Sequence, residues 1–138
     1  MIVRCIANTA RDIPDNYLGD SWRFTRETVF EYLTIGKEYV VYAVETENKG
    51  QVRYAIANDV YTSYPVRYVA PLFEVVDSRV SKYWRFAFNP PGVTCGILAF
   101  EEWSSDPDEF YWNLVEGEEP ELTLFRRMKT LMDEEAQE

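Results

Sequence analysis

From Gly36 to Glu45 the chain reads Gly-Lys-Glu-Tyr-Val-Val-Tyr-Ala-Val-Glu, a density of β-branched and aromatic residues that specifies an extended strand. Glu47, Asn48, Lys49 and Gly50 supply a turn, and Val52, Tyr54 and Ile56 then alternate with Arg53, Ala55 and Ala57. The pattern predicts a β-hairpin over about residues 38–58, its second strand having one better-buried face.

Other extended segments fall around it. Residues 2–7 hold two Ile and one Val and read as a first strand, and Pro14, Gly19 and neighbouring Asn and Asp make residues 8–20 a loop. Ser21 to Leu33 is ambiguous, with Trp22, Val29, Phe30, Tyr32 and Leu33 spaced for a short amphipathic turn. A third β segment runs from Arg67 to Val76, broken or bulged at Pro71. Tyr83–Phe88 and Thr94–Phe100, separated by Asn-Pro-Pro-Gly, form a second hairpin in which Tyr83, Trp84, Phe86 and Phe88 are read as core and cross-strand packing. Strands in succession without long helices between them predict a mainly antiparallel sheet.

Beyond Trp103 the period changes. Ser105-Asp-Pro-Asp-Glu109 joins a capping residue, a proline and first-turn acids, and Phe110 with Leu114 and Tyr111 with Val115 follow at helical spacing. This helix is expected to stop before Gly117. A longer one is expected from Pro120, with Leu124, Phe125, Met128, Leu131 and Met132 as its apolar stripe and residues 133–138 frayed. The fold class is therefore α+β: a mainly antiparallel, curved sheet or partly open barrel, with two C-terminal helices. At 138 residues the chain makes one domain, strand-rich to about residue 100 and helical over about 105–134.

Charge separates the two halves. The formal net charge is −10, yet residues 1–69 carry nine acids against eight Lys or Arg, and residues 70–138 carry fifteen against six. Glu101, Glu102, Asp106, Asp108, Glu109, Glu116, Glu118, Glu119 and Glu121 run on without one Lys or Arg between them. Such a surface repels nucleic acid and membrane phosphates and attracts basic partners. Six of these acids, Asp106, Asp108, Glu109, Glu118, Glu119 and Glu121, also lie at expected helix N-termini, where negative charge is favoured on its own account. Capping leaves Glu101, Glu102, Glu116 and the missing cations unexplained. Trp103, Tyr111 and Trp112 lie inside the run, as contact anchors or as core residues pinning the helices to the sheet.

The catalytic inventory is thin. The chain has no His, which removes the commonest general base and metal ligand, and no Gly-rich phosphate loop. Cys5 and Cys95 stand apart and are expected to be small buried residues, neither zinc ligands nor a disulfide pair. Twenty-four acids satisfy the two-carboxylate requirement of a hydrolase trivially, so that reading has no specific support. No cofactor or metal is expected. The N-terminal Met-Ile-Val-Arg-Cys-Ile-Ala-Asn lacks the pattern of a signal peptide, and a cytoplasmic protein without membrane contact is the expectation.

Leu33-Thr-Ile-Gly-Lys-Glu-Tyr-Val-Val-Tyr, the hairpin after it and Leu72-Phe-Glu-Val-Val-Asp resemble the opening strands of small SH3-like barrels, over about residues 33–100. Ser81-Lys-Tyr-Trp-Arg-Phe and Ala99-Phe-Glu-Glu-Trp-Ser resemble segments of the small bacterial immunity proteins found beside secreted toxins. That resemblance implies a stoichiometric inhibitor that covers a toxin's basic active surface, such as that of a nuclease, and binds no nucleic acid itself. The partner-facing residues would be the nine acids with Trp103, Tyr111 and Trp112. The alternatives are a nucleic-acid mimic or phage-encoded modulator of a DNA-binding protein, and a carboxylate-dependent hydrolase.

Overall fold

A computed structural model describes residues 1–18, 24–89 and 95–138. Among the described residues eight strands form two antiparallel sheets: β1 (Ile2–Cys5), β2 (Glu38–Val40), β3 (Ala43–Thr46), β4 (Val52–Ile56), β5 (Val66–Val69), β6 (Phe73–Asp77), β7 (Arg85–Phe88) and β8 (Gly96–Ala99). The smaller sheet has the order β2-β1-β6 and the larger β5-β4-β3-β8-β7. The barrel is not closed. Three helices follow, α1 (Glu101–Ser105), α2 (Pro107–Val115) and α3 (Glu121–Ala136), so the class is α+β with α2 and α3 as the two C-terminal helices.

The strand expected over Gly36–Glu45 is two strands in different sheets. At the corner Val41 and Tyr42 are both buried; the Val41 N–H donates to Met1 O at 3.1 Å and the Tyr42 N–H to Ala55 O at 2.9 Å. A run with apolar residues on both faces suits a chain that leaves one sheet and enters the next. Pro71 does the same between β5 and β6, within a short 3₁₀ turn at Ala70–Leu72. These two corners lay the sheets against each other around Val3, Tyr39, Ile56, Leu72 and Ile97.

Several local expectations change. β4 shows no clean alternation, since Ala55 and Ile56 are both buried and Arg53 is half-buried. Phe86 and Phe88 are 68% and 69% exposed, because β7 is an edge strand and their side chains take its outer face, while Trp84 is buried and donates to Tyr42 O at 3.0 Å. Cys5 is buried but Cys95 only half-buried. Residues 24–33 carry no regular helix, only a single bridge between Thr9 and Val29; Trp22 and the Pro90–Thr94 turn lie outside the described residues. α3 runs on to Ala136, past the point where fraying was expected, because Met132 is buried and Asp133 accepts a bond from the Tyr42 hydroxyl at 2.6 Å. Among the described residues no helix is long and apolar enough to cross a membrane.

Candidate functional site

The acidic end is built on an aromatic knot. Phe100 closes β8 and is 1% exposed, and Trp103, one helical turn further, is 0% exposed. Their ring centroids lie 5.7 Å apart, and Trp103 also stacks on Phe110 at 5.7 Å and meets Phe125 of α3 at 6.4 Å. The knot ties all three helices to the sheet. Trp103, expected among the partner-facing residues, is therefore a core residue: a side chain with no exposed surface cannot touch a partner. Tyr111 is only 7% exposed and spends its hydroxyl on Pro65 O at 3.1 Å, whereas Trp112 is 55% exposed.

With the apolar face of each helix turned inward, the carboxylates are left outside. Glu102 of α1, Asp106 between the helices, Glu109 of α2 and Glu121 of α3 line one small cleft of about 170 Å³ with Phe110 and Asn113. A hydrogen bond with the Asp106 carboxyl, and then its like charge, pushes Glu109 above its ordinary pKa. Asn113 Nδ2 donates to Glu121 Oε1 at 3.3 Å, leaving Glu121 Oε2 buried with no hydrogen-bond partner.

Glu116, Glu118 and Glu119 surround the α2–α3 turn. Gly117 sits there at φ +76°, and bonds from Gly117 N–H to Leu114 O at 3.0 Å and from Glu118 N–H to Asn113 O at 2.9 Å close a Schellman turn. Glu119 caps α3 by accepting from the Thr123 hydroxyl and N–H at 2.5 and 3.1 Å, which hold its carboxyl below the ordinary value. Glu101 is exposed in the first turn of α1. Asp108 faces the other way, close enough to Glu47 to raise its pKa. Four of the nine acids thus share a cleft, Glu116, Glu118 and Glu119 are exposed at the α2–α3 turn, Glu101 is exposed on α1, and Asp108 lies near Glu47. Among the described residues none of the nine forms a salt bridge.

Beside α2 lies a second feature that sequence reasoning missed. Glu45 is almost fully buried, and its Oε2 lies 2.9 Å from Arg53 and 3.5 Å from Arg67; Arg53 also pairs with Glu47. Burial pushes the Glu47 carboxyl up despite Arg53, and lowers the Arg53 guanidinium. Arg67 then lies 4.0 Å from the centre of the Tyr111 ring. Over this quartet opens a groove of about 620 Å³ whose walls include Tyr61, Tyr64, Tyr68 and Trp112. Its signal in the sequence was weak: Glu45, Arg53 and Arg67 alternate with apolar residues as a solvent-facing strand surface would, and only the packing of α2 over them makes that face an interior.

Among the described residues no group of three or more His, Cys, Asp or Glu side chains is placed to hold a metal ion. Comparison of the chain with protein-family models, with curated proteins and with solved structures finds no match.

Proposed function

We propose that this chain is a non-catalytic acidic binding protein of the immunity type, whose helical end covers a basic surface on a partner protein, as a toxin inhibitor covers a cationic active site. The observation that carries this reading is the set of carboxylates around α1, α2 and α3 that form no salt bridge with Lys or Arg among the described residues, with Glu109 already raised by Asp106. Like charges held together cost stability in the free protein, and a cationic partner relieves the repulsion. Trp112, exposed beside the acids, supplies an aromatic anchor. The carboxylate cleft, at about 170 Å³, is below the few hundred Å³ of ordinary small-molecule sites, which favours a protein surface over a substrate as the thing recognised.

The test is co-purification followed by kinetics. The tagged chain is expected to bring down one basic protein in a one-to-one complex. Glu102→Lys, Glu109→Lys and Glu116→Lys together are expected to slow association at least tenfold at low salt, with the difference shrinking as salt rises. An unchanged association rate would remove the acidic end from the docking surface.

A further inference from the structure

The groove beside α2 holds a cation that the fold only half matches. Arg53 has two carboxylates, Glu47 and Glu45, and lies 2.9 Å from Glu45 Oε2. Among the described residues the one ion pair of Arg67 is with that same oxygen, at 3.5 Å. Glu45 Oε1 is buried without a hydrogen-bond partner among the described residues, so the second oxygen does not serve Arg67 either. A buried ion network of this kind contributes little net stability, because desolvation of its charges offsets their attraction. What it leaves in place is a guanidinium that lines the groove, 4.0 Å from the centre of the Tyr111 ring.

Much of the remaining wall is aromatic and held in advance. Asn58 is 4% exposed and commits its side-chain amide to the loop that follows it. Its Oδ1 accepts from the Val60 and Tyr61 N–H groups at 2.9 and 2.7 Å, and its Nδ2 donates to the Tyr68 hydroxyl at 2.9 Å. The loop presents Tyr61, whose ring stacks on Tyr64 at 5.5 Å and meets Tyr32 edge-on at 5.7 Å. Tyr61 and Trp112 line the groove and stay 41% and 55% exposed. Aromatic faces open to water in a preformed cavity are surface that a flat apolar body covers. The groove, at about 620 Å³, also has the size of a small-molecule site, which the carboxylate cleft does not.

Together these features select a ligand. The planar fork of an arginine matches a carboxylate, which accepts two parallel hydrogen bonds from it. Arg53 and Arg67 repel a cation, and a neutral ring gives the guanidinium no charged acceptor. A dianion such as a phosphate monoester would meet the carboxylates of Glu45 and Glu47 beside the fork, in a chain whose net charge is already −10. We propose that the groove beside α2 binds a small aromatic carboxylic acid, its ring against Tyr61, Tyr64 and Trp112 and its carboxylate on Arg67.

The test is calorimetry and NMR titration of the full chain with naphthoate. Naphthylmethanol, naphthylmethylamine and naphthyl phosphate serve as the neutral, cationic and dianionic counterparts. Naphthoate is expected to saturate one site, to shift the Trp112 indole N–H and the Tyr61 amide, and to bind about tenfold tighter than each counterpart. Tyr61→Ala removes an exposed ring and keeps the backbone bond to Asn58, so naphthoate affinity should fall about tenfold with Tm unchanged. Arg67→Lys keeps a charge toward Glu45 but loses the fork. It should weaken naphthoate about tenfold and leave naphthylmethanol unchanged, a split that a merely structural role for Arg67 would not give.

Absence of saturable binding at millimolar naphthoate would overturn the proposal. So would a counterpart that binds as tightly as naphthoate, NMR shifts confined to residues outside the groove, or naphthoate affinity unchanged in Tyr61→Ala or in Arg67→Lys. The site does not rest on the docking role proposed above. The Glu102, Glu109 and Glu116 reversal leaves Tyr61 and Arg67 untouched, so loss of the acidic docking surface and loss of the ligand site are read separately.

Discussion

Asp77 shows how much one exposed ion pair does locally. Arg79 donates to both of its carboxylate oxygens, to Oδ1 at 3.1 Å and to Oδ2 at 2.7 Å, and together with the Arg79 N–H holds the Asp77 pKa at about 2, below its ordinary 3.8. The folded chain thus binds fewer protons than the unfolded chain between these values, so the contribution is present above about pH 4 and lost as pH falls to 2. Arg79→Ala should return Asp77 to the ordinary range, as read by carboxyl NMR titration, with little change of stability at pH 7 because the pair is exposed. Glu109 has the opposite sign. Its pKa is raised above 4.5 chiefly by Asp106, so its ionised form opposes folding at neutral pH and the penalty fades on acidification. Glu109→Gln should raise the Tm at pH 7 and not at pH 3; an equal effect at both would mean that Asp106 is not the cause. Neither pair was visible as an electrostatic unit in the chain: Asp77 and Arg79 are two residues apart on a strand end, and Asp106 and Glu109 become neighbours only through the turn between α1 and α2.

At the level of elements, Trp103 is the joint that the helices share. Truncating a wholly buried tryptophan removes its contacts with Phe100, Phe110 and Phe125 together and leaves a large void, so Trp103→Ala should cost about 3–5 kcal/mol in denaturant unfolding. A partner-contact role alone would leave stability unchanged. Gly117 tests the turn that follows: a Cβ added there would meet nothing within 4 Å, but the φ of +76° strains any L-residue, so Gly117→Ala should cost about 1 kcal/mol. α2 and α3 were legible because capping acids, proline and four-residue apolar spacing act within a few residues of one another. α1 was not, since Glu-Glu-Trp-Ser-Ser is too short to show a period and forms because Phe100 and Trp103 pack into the core. The break at Pro71 was legible from its missing N–H. The corner at Val41–Tyr42 was not, because a run that turns between two sheets has the same composition as one buried strand.

Over the whole molecule, burial and charge set two further behaviours. Tyr39 is raised to about 12 by burial and by its bond to Asp59, and burial likewise raises Tyr42, Tyr54, Tyr68 and Tyr111. These phenols stay protonated in the folded chain above their ordinary pKa of 10, so their contribution is complete below pH 10 and falls as pH rises toward 12. Absorbance titration at 295 nm should show them ionising late and together with unfolding; five ionisations near pH 10 in a still-folded chain would contradict the burial pattern. With a net charge of −10, repulsion across the helical end should also make the Tm rise as salt increases from low to physiological ionic strength. The order of residues by itself determined the fold class, the hairpin of β3 and β4, the two long helices and the excess of acid after Phe100, because propensity, capping and charge count are properties of neighbours along the chain. Only the tertiary structure decided that Trp103 is core, that four of the acids share a cleft, and that Glu45, Arg53 and Arg67 lie beneath a groove beside α2. Those outcomes depend on which surfaces α2 covers when the sheets and helices pack, and no local pattern encodes that distance.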